Sequence, residues 1–163
     1  RTLYYVWDNI LSYADGVLRV NLLLNRASPW ADVDSHIPYV GQVDVRIKRA
    51  LDLAVRIPEW VKPGETRCLV SGKERRLSLE GRYVQVGAVK PEDVVTLTFP
   101  IVEHTETVWV EKRERNYTLL RKGNEVLAID PPGQTIPLFQ REHYRENSTR
   151  WRKIERFVST ERL

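Results

Sequence analysis

Asp32, Asp34 and His36 lie two residues apart, so on an extended strand they share one face. Carboxylate oxygens beside an imidazole are a donor set that divalent cations use. A solvated strand edge shows the same alternation, and a metal site of this kind needs further ligands from elsewhere. No metal site is expected here. Glu103, His104 and Glu106 form a second polar cluster. A glycosidase holds two carboxyl groups roughly 5–10 Å apart across its substrate. Nothing in the neighbouring sequence supplies an enclosing pocket, so a solvated loop leading into Thr107 is the expected reading. The single cysteine, Cys68, sits in Arg67-Cys68-Leu69-Val70 with no histidine beside it. It reads as a buried structural thiol, not a nucleophile, and one cysteine forms no internal disulfide.

Five tryptophans raise a different chemistry: Trp7, Trp30, Trp60, Trp109 and Trp151. Sugars stack their C–H faces on flat exposed rings, and Trp30, with His36 and Tyr39 further along the same loop-rich stretch, is the best set for that. Tryptophans also plug sheet edges and interdomain contacts, giving the indole N–H to a partner, and this is the expected role for most of them. The segment from Gln140 to Leu163 carries seven arginines and lysines against four glutamates. Its charges are interleaved and its aromatics sparse, unlike the basic stripe of a nucleic-acid face. No nucleic-acid partner is expected.

The elements that must position these residues are strands. Leu51, Leu53, Val55 and Ile57 face one way and Asp52, Ala54 and Arg56 the other, the period-two signature of a half-buried strand. Pro58 ends it, having no N–H for a ladder, and Trp60 lies just past the stop. Val43, Val45 and Ile47 alternate in the same way against Asp44, Arg46 and Lys48. Asp15-Gly16 and Ser71-Gly72 are hairpin signals between such runs. Leu3 to Tyr13, rich in aromatic and β-branched residues, reads as a strand, and Ala31 to Ile37 as a short edge strand. No 11-residue helical pattern precedes Gln140.

Strands spaced by roughly 8–12 residues with turns between them predict an all-β, antiparallel sandwich of jelly-roll type. The expected organisation is a sandwich over residues 1–139 and a basic C-terminal tail over 140–163. The tail would be a short helix or an extended run packing on the sandwich, anchored by Ile154, Phe157 and Val158. At 163 residues, with 42% hydrophobic and 29% charged residues, the chain can bury one real core. No apolar run approaches the ~20 residues that span a bilayer, so no membrane partner is expected. The chain reads as a piece of a longer polypeptide.

Several stretches resemble one family. Gly16-Val17-Leu18-Arg19-Val20-Asn21-Leu22 is similar to the "G-x-x-V-N-L" strand that follows the catalytic barrel in the β-L-arabinofuranosidase family of glycoside hydrolases, family 127. Leu53-Ala54-Val55-Arg56-Ile57-Pro58-Glu59-Trp60 resembles its "L-x-x-R-I-P-x-W" motif, the most specific of the set. Asp34 to Val43 resembles its aspartate, aromatic-proline and glycine turn before a strand. Val70-Ser71-Gly72-Lys73 and Val89 to Leu97 resemble its "V-N-G-K" and "W-K-P-G-D-x-V-x-L" stretches. The resemblance runs in order from about residue 3 to 130. It implies a noncatalytic β-sandwich region C-terminal to an (α/α)6 barrel, with Arg56 and Trp60 facing that missing catalytic domain. It further implies that the nucleophile, the acid/base and a zinc site belong to the barrel, so no cofactor is expected in this chain. A homodimer contact is a further implied partner. The alternative is an autonomous carbohydrate-binding module built on Trp30.

Overall fold

Asp15 and Gly16 set the first register. In the computed structural model, which describes residues 2–133 and 141–147, both take left-handed dihedrals, with φ of 51° and 80°. A turn of that kind matches the twist of paired strands. It follows helix α1 (Thr2–Asp8) and closes β1 (Leu11–Ala14) on β2 (Val17–Val20), with Ala14 opposite Val17. The chain continues through β3 (Arg26–Ala27), β4 (Ala31–Ser35), β5 (Gln42–Ile47) and β6 (Leu51–Arg56). Then come β7 (Arg67–Val70), β8 (Lys73–Glu74), β9 (Ser78–Glu80), β10 (Tyr83–Val89) and β11 (Val94–Thr98). A meander of β12 (Glu103–Val110), β13 (Arg115–Lys122) and β14 (Glu125–Asp130) completes the described strands. Ser71 (φ 49°) and Gly72 (φ 80°) repeat the left-handed turn between β7 and β8.

Two sheets face each other, in the orders β1-β2-β6-β10-β9 and β3-β4-β5-β11-β7-β8. The alternation read in β5 and β6 is what fills the space between them. Leu18, Leu53, Val55 and Val84 come from the first sheet; Val43, Val45, Val95 and Leu97 come from the second. All eight are essentially inaccessible and belong to one cluster, with Cys68 among them. The fold is an all-β sandwich, as the strand spacing predicts.

Two local expectations need correction. Leu3 to Trp7 form α1 and not a strand. The reason is register: Val20, the last residue of β2, already pairs with Leu11, and the Asn21 N–H caps Ile10 O at 2.8 Å. Residues before Ile10 therefore meet no partner strand and close their bonds locally, as Asn9 N–H does on Tyr5 O at 3.1 Å. Antiparallel pairing prevails in the sandwich, as expected; the exception among the described strands is β2, which runs parallel to β6 with Leu18 opposite Leu53. A parallel pair needs a long crossover, which β3 to β5 supply by passing through the opposite sheet. Second, Glu103, His104 and Glu106 lie in β12, not in a loop, because β13 offers them a full ladder from Val110↔Arg115 to Glu103↔Lys122.

The β12-β13-β14 sheet stands apart from the two sandwich layers. Gly123 N–H bonds Val102 O at 3.1 Å and Leu127 is buried. Of the tail, residues 141–147 run beside this sheet and contain a 3₁₀ turn at Glu142–Arg145. Arg141 pairs with Glu125 at 2.9 Å, and Arg145 grips both oxygens of Glu103 at 2.9 Å each. Trp151, Ile154, Phe157 and Val158 lie outside the described residues.

Candidate functional site

Trp30 and His36 flank the five residues of β4, so they stand at its opposite ends, roughly 20 Å apart along an extended chain. Tyr13 stacks on Trp30 at a centroid distance of 5.1 Å and an angle of 20°, covering one face of the indole. His36 Nε2 meets Asp44 Oδ2 at 3.0 Å, and Tyr39 packs edge-on against Tyr144 at 5.4 Å. The three aromatic candidates therefore do not form one platform. The metal candidates are likewise drawn apart. Asp32 pairs with Lys48 at 2.6 Å while His36 serves Asp44, and no group of three His, Cys, Asp or Glu side chains gathers for a cation among the described residues.

The β12 carboxylates are used in ion pairs. Glu106 meets Arg121 at 2.8 Å and Glu103 meets Arg145, each across the surface of the third sheet. Cys68 is buried in the core, and burial pushes its thiol up to about 11 against the pull of nearby Arg75. At pH 8 a thiol of that kind is ionised to about one part in a thousand. Iodoacetamide should therefore label Cys68 at least ~100-fold more slowly in the folded chain than in urea, with the rate climbing as pH approaches 11. Equal labelling in both states would show that Cys68 is accessible and activated.

Arg56 and Trp60 are brought together. β6 carries Arg56 to the end of the first sheet, and the chain then turns under proline control, Val61 N–H bonding Pro58 O at 3.1 Å. Arg82 fastens that turn by donating to the carbonyls of Pro58 and Val61. Arg56 is half exposed; its nearest carboxylate, Glu59, is 3.6 Å away and itself 82% exposed. Beside them opens a cleft of about 310 Å³ between the sandwich and the third sheet. Its walls include Leu22, Leu24, Ile37 and Pro58, with Arg56, Lys122, Glu59 and Glu125 as its charged groups and the exposed Asn124 at the rim. A second, more open groove shares Arg56, Asn21 and Leu22 with it and leads to Tyr5 and Val6 of α1. That helix buries no residue: Leu3 is 85% exposed and Trp7 50%.

Lys122 is the residue that sequence reading misses. In Lys122-Gly123-Asn124 it looks like the rim of an exposed hairpin, yet it is 6% exposed. Its ammonium donates to Tyr39 O at 2.9 Å and Tyr144 O at 2.7 Å, tying sandwich, third sheet and 3₁₀ turn together. Burial holds its pKa below the ordinary lysine value, partly offset by Glu103. Gly123 makes this approach feasible, since a Cβ there would stand 3.0 Å from the Trp60 ring and 3.1 Å from Ile101. Trp60 is thus wedged with its indole N–H buried and without an acceptor among the described residues.

No family model and no curated protein matches the sequence. Solved structures do match. The chain is similar to a "Glycoside hydrolase" over 77% of its length and 23% of that chain, at 20% identity and a TM-score of 0.57. It is similar to the GH127 β-L-arabinofuranosidase Ara127N of Geobacillus stearothermophilus T6 over 73% of its length and 21% of that chain, at 19% identity and a TM-score of 0.50. It is also similar to the GH127 β-arabinofuranosidase BT3674, over 72% and 23%, at 18% identity and a TM-score of 0.52. At these identities the likeness is one of fold, and it is to the same family that the strand motifs resemble. The chain spans less than a quarter of the length of the solved structures it matches.

Proposed function

We propose that this chain is the noncatalytic accessory β-sandwich of a glycoside hydrolase-like protein related to the β-L-arabinofuranosidases, and that it supports a catalytic barrel elsewhere in the same polypeptide. The observation that carries this reading is the mismatch of coverage: about three quarters of this chain matches less than a quarter of each enzyme. The surface supports it too. A seven-residue helix is too short to hold itself together in water without packing. The exposed apolar side chains of α1, continuous with the groove at Arg56, are what a neighbouring domain would cover. Arg56 and Trp60 are then the contact residues at that border.

Activity decides between a support and an enzyme. The isolated chain at micromolar concentration should release no nitrophenol from 4-nitrophenyl β-L-arabinofuranoside above the buffer rate. The polypeptide that includes the flanking reading frame should hydrolyse it, and should lose most of that activity when Trp7 and Arg56 are replaced by Asp and Glu. Turnover by the isolated chain would overturn the accessory role. An unaffected double variant would remove α1 and Arg56 from the contact.

A further inference from the structure

The cleft between the sandwich and the third sheet has the makings of a ligand site of its own. Its volume, about 310 Å³, is at the small end of ligand pockets and suits a single ring. Its walls are mostly apolar, from Leu22, Leu24, Ile37 and Pro58. Two cations, Arg56 and Lys122, are among its lining residues. Arg56 has a guanidinium held by one solvent-exposed carboxylate at 3.6 Å, a weak and easily exchanged pairing. Lys122 is buried, held by two backbone carbonyls, and no carboxylate oxygen lies within 4 Å of its ammonium among the described residues. The acids of the lining are Glu59 and Glu125, and Glu125 is already neutralised by Arg141 at 2.9 Å. The Trp60 ring adds a flat wall to the lining.

We propose that this cleft binds a small carboxylate whose body is one ring, with the carboxylate on Arg56 and toward Lys122 and the ring against Trp60 and the leucines. Arg56 is suited to the first task because its planar fork takes both carboxylate oxygens. The ring could be that of a sugar acid or an aromatic acid, which share the anionic head and differ in the body. The titration uses this chain by itself, with no barrel attached, so its outcome is separable from that of the accessory role.

Titration of the ¹⁵N-labelled full chain tests the assignment, followed by the Trp60 indole N–H and the backbone signals of Asn124 and Leu22. The probes are galacturonate, 4-hydroxybenzoate, galactose and acetate. At least one ring acid should bind saturably, in the ~1 mM range, and move the Trp60 indole proton. Galactose and acetate should be at least tenfold weaker, for want of the charge and of the ring. Which acid wins identifies the source. Arg56→Ala, at a half-exposed side chain that the core does not need, should weaken binding about tenfold. Asn124→Asp, at an exposed turn, should weaken it about threefold by placing a like charge at the rim. Raising salt should weaken binding in the parent chain more than in Arg56→Ala. No saturable shift with either acid, acetate binding as well as the ring acids, or an unchanged affinity in Arg56→Ala would each overturn the proposal.

Discussion

Gly41→Ala should be among the most damaging single-methyl changes in the sandwich, lowering stability by about 3 kcal/mol and the melting temperature by about 10 °C. Gly41 immediately precedes β5, and Phe99 N–H, just past the end of β11, bonds its carbonyl at 2.8 Å. A Cβ at this position would stand 1.9 Å from Phe99 O and 3.0 Å from Phe99 C. Those are backbone atoms, so no rotamer change relieves the contact. Either the Gly41–Phe99 bond breaks or the Gln42↔Thr98 end of the ladder moves. The requirement is close approach and not dihedral freedom, because Gly41 is absent from the left-handed glycines. Gly64→Ala is the matched control, with nothing within 4 Å of its added methyl, and should stay within about 0.5 kcal/mol of the parent. Thermal unfolding by circular dichroism reads both. A Gly41→Ala chain as stable as the control would mean that the strand end yields without cost.

That glycine marks how far the sequence could be read. Turn chemistry and alternation are local, and both are realised: Asp15-Gly16 and Ser71-Gly72 hold their left-handed dihedrals, and Leu53 and Val55 point into the core as their spacing predicts. Gly41 reads only as a turn residue, because the atom that forbids a side chain there belongs to Phe99. α1 escaped for the same reason. Leu3 to Trp7 have strand-forming side chains, but whether a strand forms depends on whether a partner remains, and β2 ends first. The parallel pairing of β2 with β6 rests on contacts more than thirty residues apart in the chain. Ala54, assigned to the outward row, is 1% exposed, because neighbouring elements cover a face that alternation alone leaves to solvent.

The candidate site was legible in one half. Arg56 and Trp60 fall within the most distinctive motif of the chain, on the two sides of a proline that ends a strand. Leu22 and Leu24 merely continue the hydrophobic run of β2, and nothing local marks them as a cleft wall. Trp30, His36 and Tyr39 show the converse. They are neighbours in sequence, but β4 separates Trp30 from the other two, and Tyr13 and Tyr144 then occupy their rings. Aromatic residues close in sequence do not become a surface unless the strand between them turns back.

Lys122 is the other half of the site, and replacing it tests what joins the third sheet to the sandwich. Lys122→Met keeps the apolar stem and its packing but removes the ammonium. Tyr39 O and Tyr144 O, at 2.9 and 2.7 Å from Nζ, then lose their donor. A hydrogen bond to a charged group contributes about 1.5–3 kcal/mol, while freedom from burying a charge returns part of that. A net loss of about 2 kcal/mol is expected, with the Tyr39–Tyr144 edge contact weakened in near-ultraviolet circular dichroism. The pH dependence separates this role from mere packing. Lys122 has a folded pKa below 10.5, so just under that value the unfolded chain binds more protons than the folded one. Stability carried by this group therefore rises with pH through that window. Cys68, with its folded pKa raised from 9.0 to about 11, acts in the opposite sense, since folding holds its proton and stability falls as pH climbs past 9. The parent-minus-variant difference cancels the cysteine and leaves the lysine. Relative to the parent, Lys122→Met should lose further ground as pH rises toward 10.5. A difference independent of pH would mean that the ammonium is solvated in the folded chain and that the third sheet is held by Gly123, Trp60 and Ile101 alone.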